Sequence, residues 1–206
     1  MKRDLVHHLR ELKPFTCLRR EKSSFSSNVA LEDNHGRFHN YLRISLTEKC
    51  NLRCVYCMPL EGVKLTNSND LLNLEEHQRI LKVFASLGVT KIRFTGGEPT
   101  TSKYLLNLIE CAHQIPAIKS IGITTNGIML KHNLANFVRC GLTHVNISLD
   151  TLVPEVFQSI VRRDGRSIYS VLSAIYESVA HGIHVKVTWK WSDRWKCRIS
   201  TIQYSD

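Results

Sequence analysis

The chain has 206 residues, 43% of them hydrophobic, which is enough for one full domain with its own core and some chain to spare. The formal net charge of +10 is spread along the chain with no contiguous basic block, so a phosphate-bearing small molecule explains it as well as a polynucleotide, and a basic soluble surface is the plainest account. No apolar run approaches the roughly 18 residues of a spanning helix, so no membrane is expected. Seven cysteines, an odd number, argue against a disulfide framework and for a reducing compartment.

Residues 1–35 read as an N-terminal extension. Arg3, Arg10, Arg19 and Arg20, with the serines of SSFSS, resemble an organellar transit peptide, although Asp4, Glu11 and Glu21 are acidic for one. The expected address is the mitochondrial matrix, otherwise the cytoplasm. An extension without an address fits the composition equally.

From Tyr41 onward, short β-rich runs alternate with amphipathic stretches, and residues 36–188 read as one core. YLRISLT, TKIRFTGGE, SIGITTNG, HVNISLD and HVKVT are the predicted strands. Helix patterns fall at Leu74 to Leu87, Tyr104 to His113, Asn133 to Cys140 and Val171 to Ala180. Gly88, Gly141 and Gly182 stand where such helices stop. Alternation of this kind predicts right-handed βαβ units and a parallel sheet. Polar and glycine residues gather at the C-terminal strand ends, the edge at which parallel α/β folds bind ligands. Residues 189–206 contain all three tryptophans, show no sustained period and read as a divergent tail.

After the first strand comes CNLRCVYC, with Cys50, Cys54 and Cys57 at Cys-x3-Cys-x2-Cys. Three thiolates favour a soft metal, zinc or an iron-sulfur cluster. His77 or His35 could complete a zinc site, whereas a four-iron cluster on three cysteines leaves one iron open for another ligand.

This cysteine spacing, with Tyr56 before the last cysteine and TGGEP downstream, resembles the radical S-adenosylmethionine superfamily. In the same order, YLRISLTEKCNLRCVYCMP, KIRFTGGEP, IGITTNG, NISLDTL and VKV are similar to the GTP 3′,8-cyclase family of molybdenum cofactor biosynthesis. The likeness covers about residues 36 to 188 and implies an α/β fold, a partial TIM-type (βα) barrel of about five βα units, incomplete at the C-terminus. It implies a lyase that cleaves S-adenosylmethionine reductively at a 4Fe-4S cluster and cyclises GTP through a radical.

By the same resemblance, Cys50, Cys54 and Cys57 would hold one cluster. Tyr56, Gly97 and Ser148 would contact S-adenosylmethionine, and Gly96 and Glu98 would shape the same turn. Arg43, Arg93, Thr124 and Lys186 would bind GTP, residue types that suit a triphosphate. Read from alternation alone, Arg43 and Arg93 are simply solvent-facing. The motifs nominate no catalytic side chain. A homodimer follows from the family, and no nucleic acid partner is expected. The family's second three-cysteine cluster and its C-terminal Gly-Gly have no counterpart in this sequence. That implies a C-terminally truncated form, either a cyclase domain or a non-catalytic isoform that keeps cluster and cofactor binding or pairs with a full-length enzyme.

Overall fold

The computed structural model describes residues 31–189 and the backbone of 200–204. The expected transit segment therefore lies almost wholly outside the described residues, as does 190–199. Five parallel strands run in sequence order: β1 (Tyr41–Ser45), β2 (Lys91–Thr95), β3 (Ser120–Thr125), β4 (His144–Ser148) and β5 (His184–Trp189). The connections carry α1 (Leu74–Ser86), α2 (Leu105–His113), α3 (Leu130–Arg139), and the pair α4 (Pro154–Val161) and α5 (Ile168–Ala180). Strand order that never doubles back puts every helix on one side, where α1 touches α2, α2 touches α3 and α3 touches α5. The result is an open parallel sheet, a partial (βα) barrel as the sequence predicts.

Period-two burial confirms the two faces. Ile44, Ile92, Phe94, Ile123, Val145, Ile147 and Val185 are buried toward the helices, where Leu81, Leu108, Ile109, Leu134, Phe137, Val171 and Ala174 meet them. The alternate residues, including Arg43, Arg93, Thr124, Asn146 and Lys186, occupy the opposite, open face. An interior of packed aliphatic layers would close a TIM barrel; here that face is polar. Gly88, Gly141 and Gly182 have φ of 104°, 103° and 70°, the left-handed helix stops expected of them.

Two elements differ from the sequence reading. Helix α4 was not expected; its signals are Pro154 at the first turn, Glu155 beside it, and the buried stripe Phe157, Ile160 and Val161. The tail shows no sustained period in sequence, yet Ser200–Tyr204 forms β6, antiparallel to β5 with Val187 opposite Ile202. Residues 190–199 are too few for the crossover that a parallel neighbour requires, so antiparallel pairing is the geometry open to this strand. One edge of the sheet that the five-unit reading left bare is thereby paired. Among the described residues no helix is long and apolar enough to cross a membrane.

Candidate functional site

The open face and the C-terminal strand ends meet at the loop after β1. Leu52 and Cys54 are buried in the core, Cys50 is half-buried and Cys57 exposed, so alternate residues pin this loop down while the last thiol faces out. Backbone N–H groups of Arg53 and Val55 donate to the carbonyls of Val161 and Ile160 at 3.0 and 2.9 Å. The unexpected helix α4 thus lends its orphan terminal carbonyls to the cysteine loop. Cys57 and Met58 close the turn by donating to the Cys54 carbonyl at 3.1 and 3.0 Å.

Cys50, Cys54 and Cys57 are all free thiols. Burial, with neighbouring Cys57 next, pushes the Cys54 thiol up to about 12, and burial raises Cys50 against the opposing Leu52 N–H, 3.4 Å from its Sγ. Among the described residues no three His, Cys, Asp or Glu side chains converge tightly enough to hold a single metal ion. His77, the offered fourth zinc ligand, is 3% exposed in α1 with Nδ1 2.7 Å from the Asn73 carbonyl, and His35 is a surface residue of the 31–40 segment. Neither completes a zinc tetrahedron. The donor set fits a multi-iron cluster better, because such a cluster takes its thiolates around a wide periphery; a bound metal of either kind would ionise the thiols that burial otherwise keeps protonated.

Three strand-end loops are stitched to this one. Gly97 and Glu98 of the β2 turn donate their N–H groups to the Thr47 and Lys49 carbonyls at 2.6 and 2.8 Å. A Cβ on Gly96 would collide with Thr47 backbone, and one on Gly97 with the Lys49 and Glu48 carbonyls. The paired glycines are therefore required by backbone meeting backbone, and Gly96 at φ 140° has no L-residue substitute. Glu98, 1% exposed, accepts from Thr125 Oγ1 at 2.7 Å and the Asn126 N–H at 2.8 Å in the β3 turn, and from Thr100. Asn126 Nδ2 donates to Asn51 Oδ1 inside the cysteine loop at 2.7 Å. The β4 end joins through Tyr56, whose hydroxyl donates to Asp150 Oδ2 at 2.7 Å; burial and that carboxylate push the phenol well above its ordinary value. A Gly97→Ala change is expected to destabilise the fold by about 1–3 kcal/mol through this collision and to lower iron loading in parallel; a melting curve and an iron assay check it.

On the open face, register aligns the remaining candidates. Arg43 pairs with Arg93, and Thr124, Asn146 and Lys186 follow one another across β3, β4 and β5. Arg93 leans across its neighbour, Nη1 3.5 Å from Thr124 Oγ1 and its guanidinium carbon 6.0 Å from the Tyr41 ring centre. Ser148 ends β4 opposite Thr188. Arg43 and Arg93 both face away from the core; Arg43 is exposed, whereas Arg93, like Lys186 on the same face, is half-buried. None of Arg43, Arg93 and Lys186 has a carboxylate within 4 Å among the described residues. Asn146, which accepts from Thr188 Oγ1 at 2.6 Å, and Asp150 were missed. The alternation that selects Ser148 selects Asn146 as well.

Fold and site together define an α/β core that presents three thiols at the mouth of a polar, cation-lined open barrel. The sequence pattern of the Radical SAM superfamily matches residues 44–189. Molybdenum cofactor biosynthesis protein 1 of Drosophila melanogaster is 47% identical over 81% of this chain and 29% of its own length. GTP 3′,8-cyclase, mitochondrial, of Arabidopsis thaliana is 50% identical over 70% of this chain and 38% of its own. Streptococcus suis SuiB bound to its precursor peptide SuiA superposes with a TM-score of 0.62 at 19% identity, over 93% of this chain and 44% of that one. The chain belongs to the radical SAM superfamily. It spans less than half the length of the curated relatives it matches.

Proposed function

We propose that residues 36–188 are the radical SAM core of a GTP 3′,8-cyclase, serving the first step of molybdenum cofactor biosynthesis, with residues 1–35 as a leader to the mitochondrial matrix and a homodimer as its working form. One observation carries the substrate class: Arg43, Arg93 and Lys186 stand on one face without a carboxylate partner among the described residues, beside the thiol loop. Cations placed together without a counter-ion repel one another, so the arrangement awaits a polyanion. Of the relatives named above, the Drosophila protein is by name a molybdenum cofactor biosynthesis protein and the Arabidopsis protein a GTP 3′,8-cyclase.

In this reading Cys50, Cys54 and Cys57 hold one 4Fe-4S cluster. The chemistry supplied by that cluster with S-adenosylmethionine, when both are bound, is one-electron cleavage of the sulfonium. The protein's part is placement. Gly96 and Gly97 keep the β2 turn slim against the cysteine loop, leaving Tyr56, Gly97 and Ser148 at the mouth to receive S-adenosylmethionine. Arg43, Arg93, Thr124 and Lys186 hold GTP further down the same face. Holding reacting atoms in line substitutes for the entropy of their encounter.

The test is anaerobic turnover of the reconstituted chain with dithionite, S-adenosylmethionine and GTP deuterated at C3′. 5′-Deoxyadenosine carrying deuterium is the expected product; unlabelled 5′-deoxyadenosine would remove GTP as the hydrogen donor. A second reading is favoured by β6, which lies antiparallel where the next parallel strand of the family's barrel is expected. The core then binds cluster and cofactor without turnover, alone or with a full-length enzyme, and a cluster-loaded protein yielding no 5′-deoxyadenosine would support it. Replacing Lys186 or Arg93 by alanine is expected to weaken GTP binding about tenfold each, the worth of one charge-assisted contact, with iron content unchanged; titration calorimetry measures it.

A further inference from the structure

We propose that His144 and His184 extend the arginine row into a proton-dependent seat for the outer phosphates of the nucleotide, an inference resting on the open face being a triphosphate site. Pairing places Arg43, Arg93, Gly122, His144 and His184 in one register row across all five parallel strands. The two imidazoles stack at 4.7 Å with 25° between their planes. Gly122 is the gap that makes the row continuous: a Cβ there would sit 3.5 Å from the Arg93 guanidinium carbon and 3.4 Å from the His144 Cβ. With no side chain at position 122, the Arg93 guanidinium on one side and the His144 side chain on the other both border the same gap over β3.

Among the described residues, the groups facing His144 are cationic or neutral. They are Lys91 and Arg93 from β2, His184 from β5, and the hydroxyls of Ser120 and Thr143 at 3.1 and 2.7 Å from Nδ1, with Tyr41 of β1 beyond Arg93. The hydroxyls engage Nδ1 and leave Nε2 for a ligand. Burial first, then His184, Arg93 and Lys91, lower the proton affinity of His144, so in the ligand-free protein it is neutral at pH 8 and gains its proton only below its ordinary 6.5. A bound phosphate reverses the sign of the local field and restores the imidazolium, which then donates a charge-assisted hydrogen bond. Binding therefore takes up a proton, and anion affinity rises as the pH falls from 8 to 6.

The experiment is calorimetric titration of the full chain with inorganic triphosphate, GTP and guanosine at pH 8 and pH 6, for the native protein, His184→Gln and the double variant His144→Gln/His184→Gln. Ligand protonation is common to all three proteins, so the comparison between them isolates the histidines. Native protein should tighten on triphosphate and GTP about tenfold more than the double variant over that range. His184→Gln, at an exposed position, should fall between them, and guanosine should not respond. Equal pH dependence in native and double-variant protein overturns the proposal, as does failure of the native chain to bind triphosphate. Triphosphate bound with the expected histidine dependence while GTP is refused leaves the anion seat standing and removes GTP as its occupant.

Discussion

Cys57→Ser in the full chain is expected to lose nearly all of the iron, about four per chain, that the native protein takes up on anaerobic reconstitution, together with its broad visible absorption. A cluster held by only three protein thiolates has no spare anchor, so removing one leaves two and the cluster dissociates. Cys57 is the informative position because its side chain is exposed, whereas Cys54 is 8% exposed and belongs to the core, so its replacement confounds ligand loss with packing loss. Backbone closure of the turn runs through the Cys54 carbonyl and the N–H groups of Cys57 and Met58, none of which the serine changes. The melting temperature of the metal-free variant should therefore match that of metal-free native protein. Cys111→Ser, on α2 among partly buried residues, is the control and should keep its iron. A Cys57→Ser protein that retains a full cluster would show that a ligand other than these three thiols holds it.

How much of this could be read from the residues varies from strand to strand. TKIRFTGGE and HVNISLD announce themselves through alternation ending in small polar residues, and both strands fall where that pattern puts them. The five-strand parallel order follows because alternating strands and helices leave few other ways to cover a sheet. Helix α4 escaped because its eight residues give barely two turns of period, and its role lies in a carbonyl contact to a loop far away in sequence. Strand β6 escaped because STIQY acquires meaning only from the edge it pairs with. At the site, the cysteines and TGGEP were legible as a spacing. The task of Glu98 was not, since besides the Thr100 donors of its own turn it accepts from Thr125 and Asn126 of the β3 end, and no single stretch records that. Asn146, His144 and His184 alternate in register with residues that were selected, but a lone histidine or asparagine on a strand is too ordinary to single out before its neighbours are known.

Glu98→Ala is expected to cost on the order of 4 kcal/mol and to lower the melting temperature by about 10 °C, more than any other single change in the site outside the cysteines. The carboxyl group is buried and accepts from the Thr125 hydroxyl, the Asn126 N–H, and the Thr100 N–H and hydroxyl. Alanine would strand these donors out of reach of water, at about 1–3 kcal/mol for each that stays unsatisfied, and would leave a void besides. Partial rescue by threonine rotamers brings the sum down to the stated figure. Glu98→Gln separates the two contributions: the amide keeps the Oε1 acceptor for Thr100 and Thr125 but sets its NH2 against the Asn126 N–H, so its loss should be about 1–3 kcal/mol. The damage should reach the mouth, because Asn126 in turn holds Asn51 within the cysteine loop. Variants that still fold are therefore expected to load iron more slowly and to bind S-adenosylmethionine more weakly, in the order Gln before Ala. Should Glu98→Ala melt with the native protein while losing cofactor affinity, the side chain touches the ligand directly, and the bracing of the β2 and β3 ends by one buried carboxyl group is wrong.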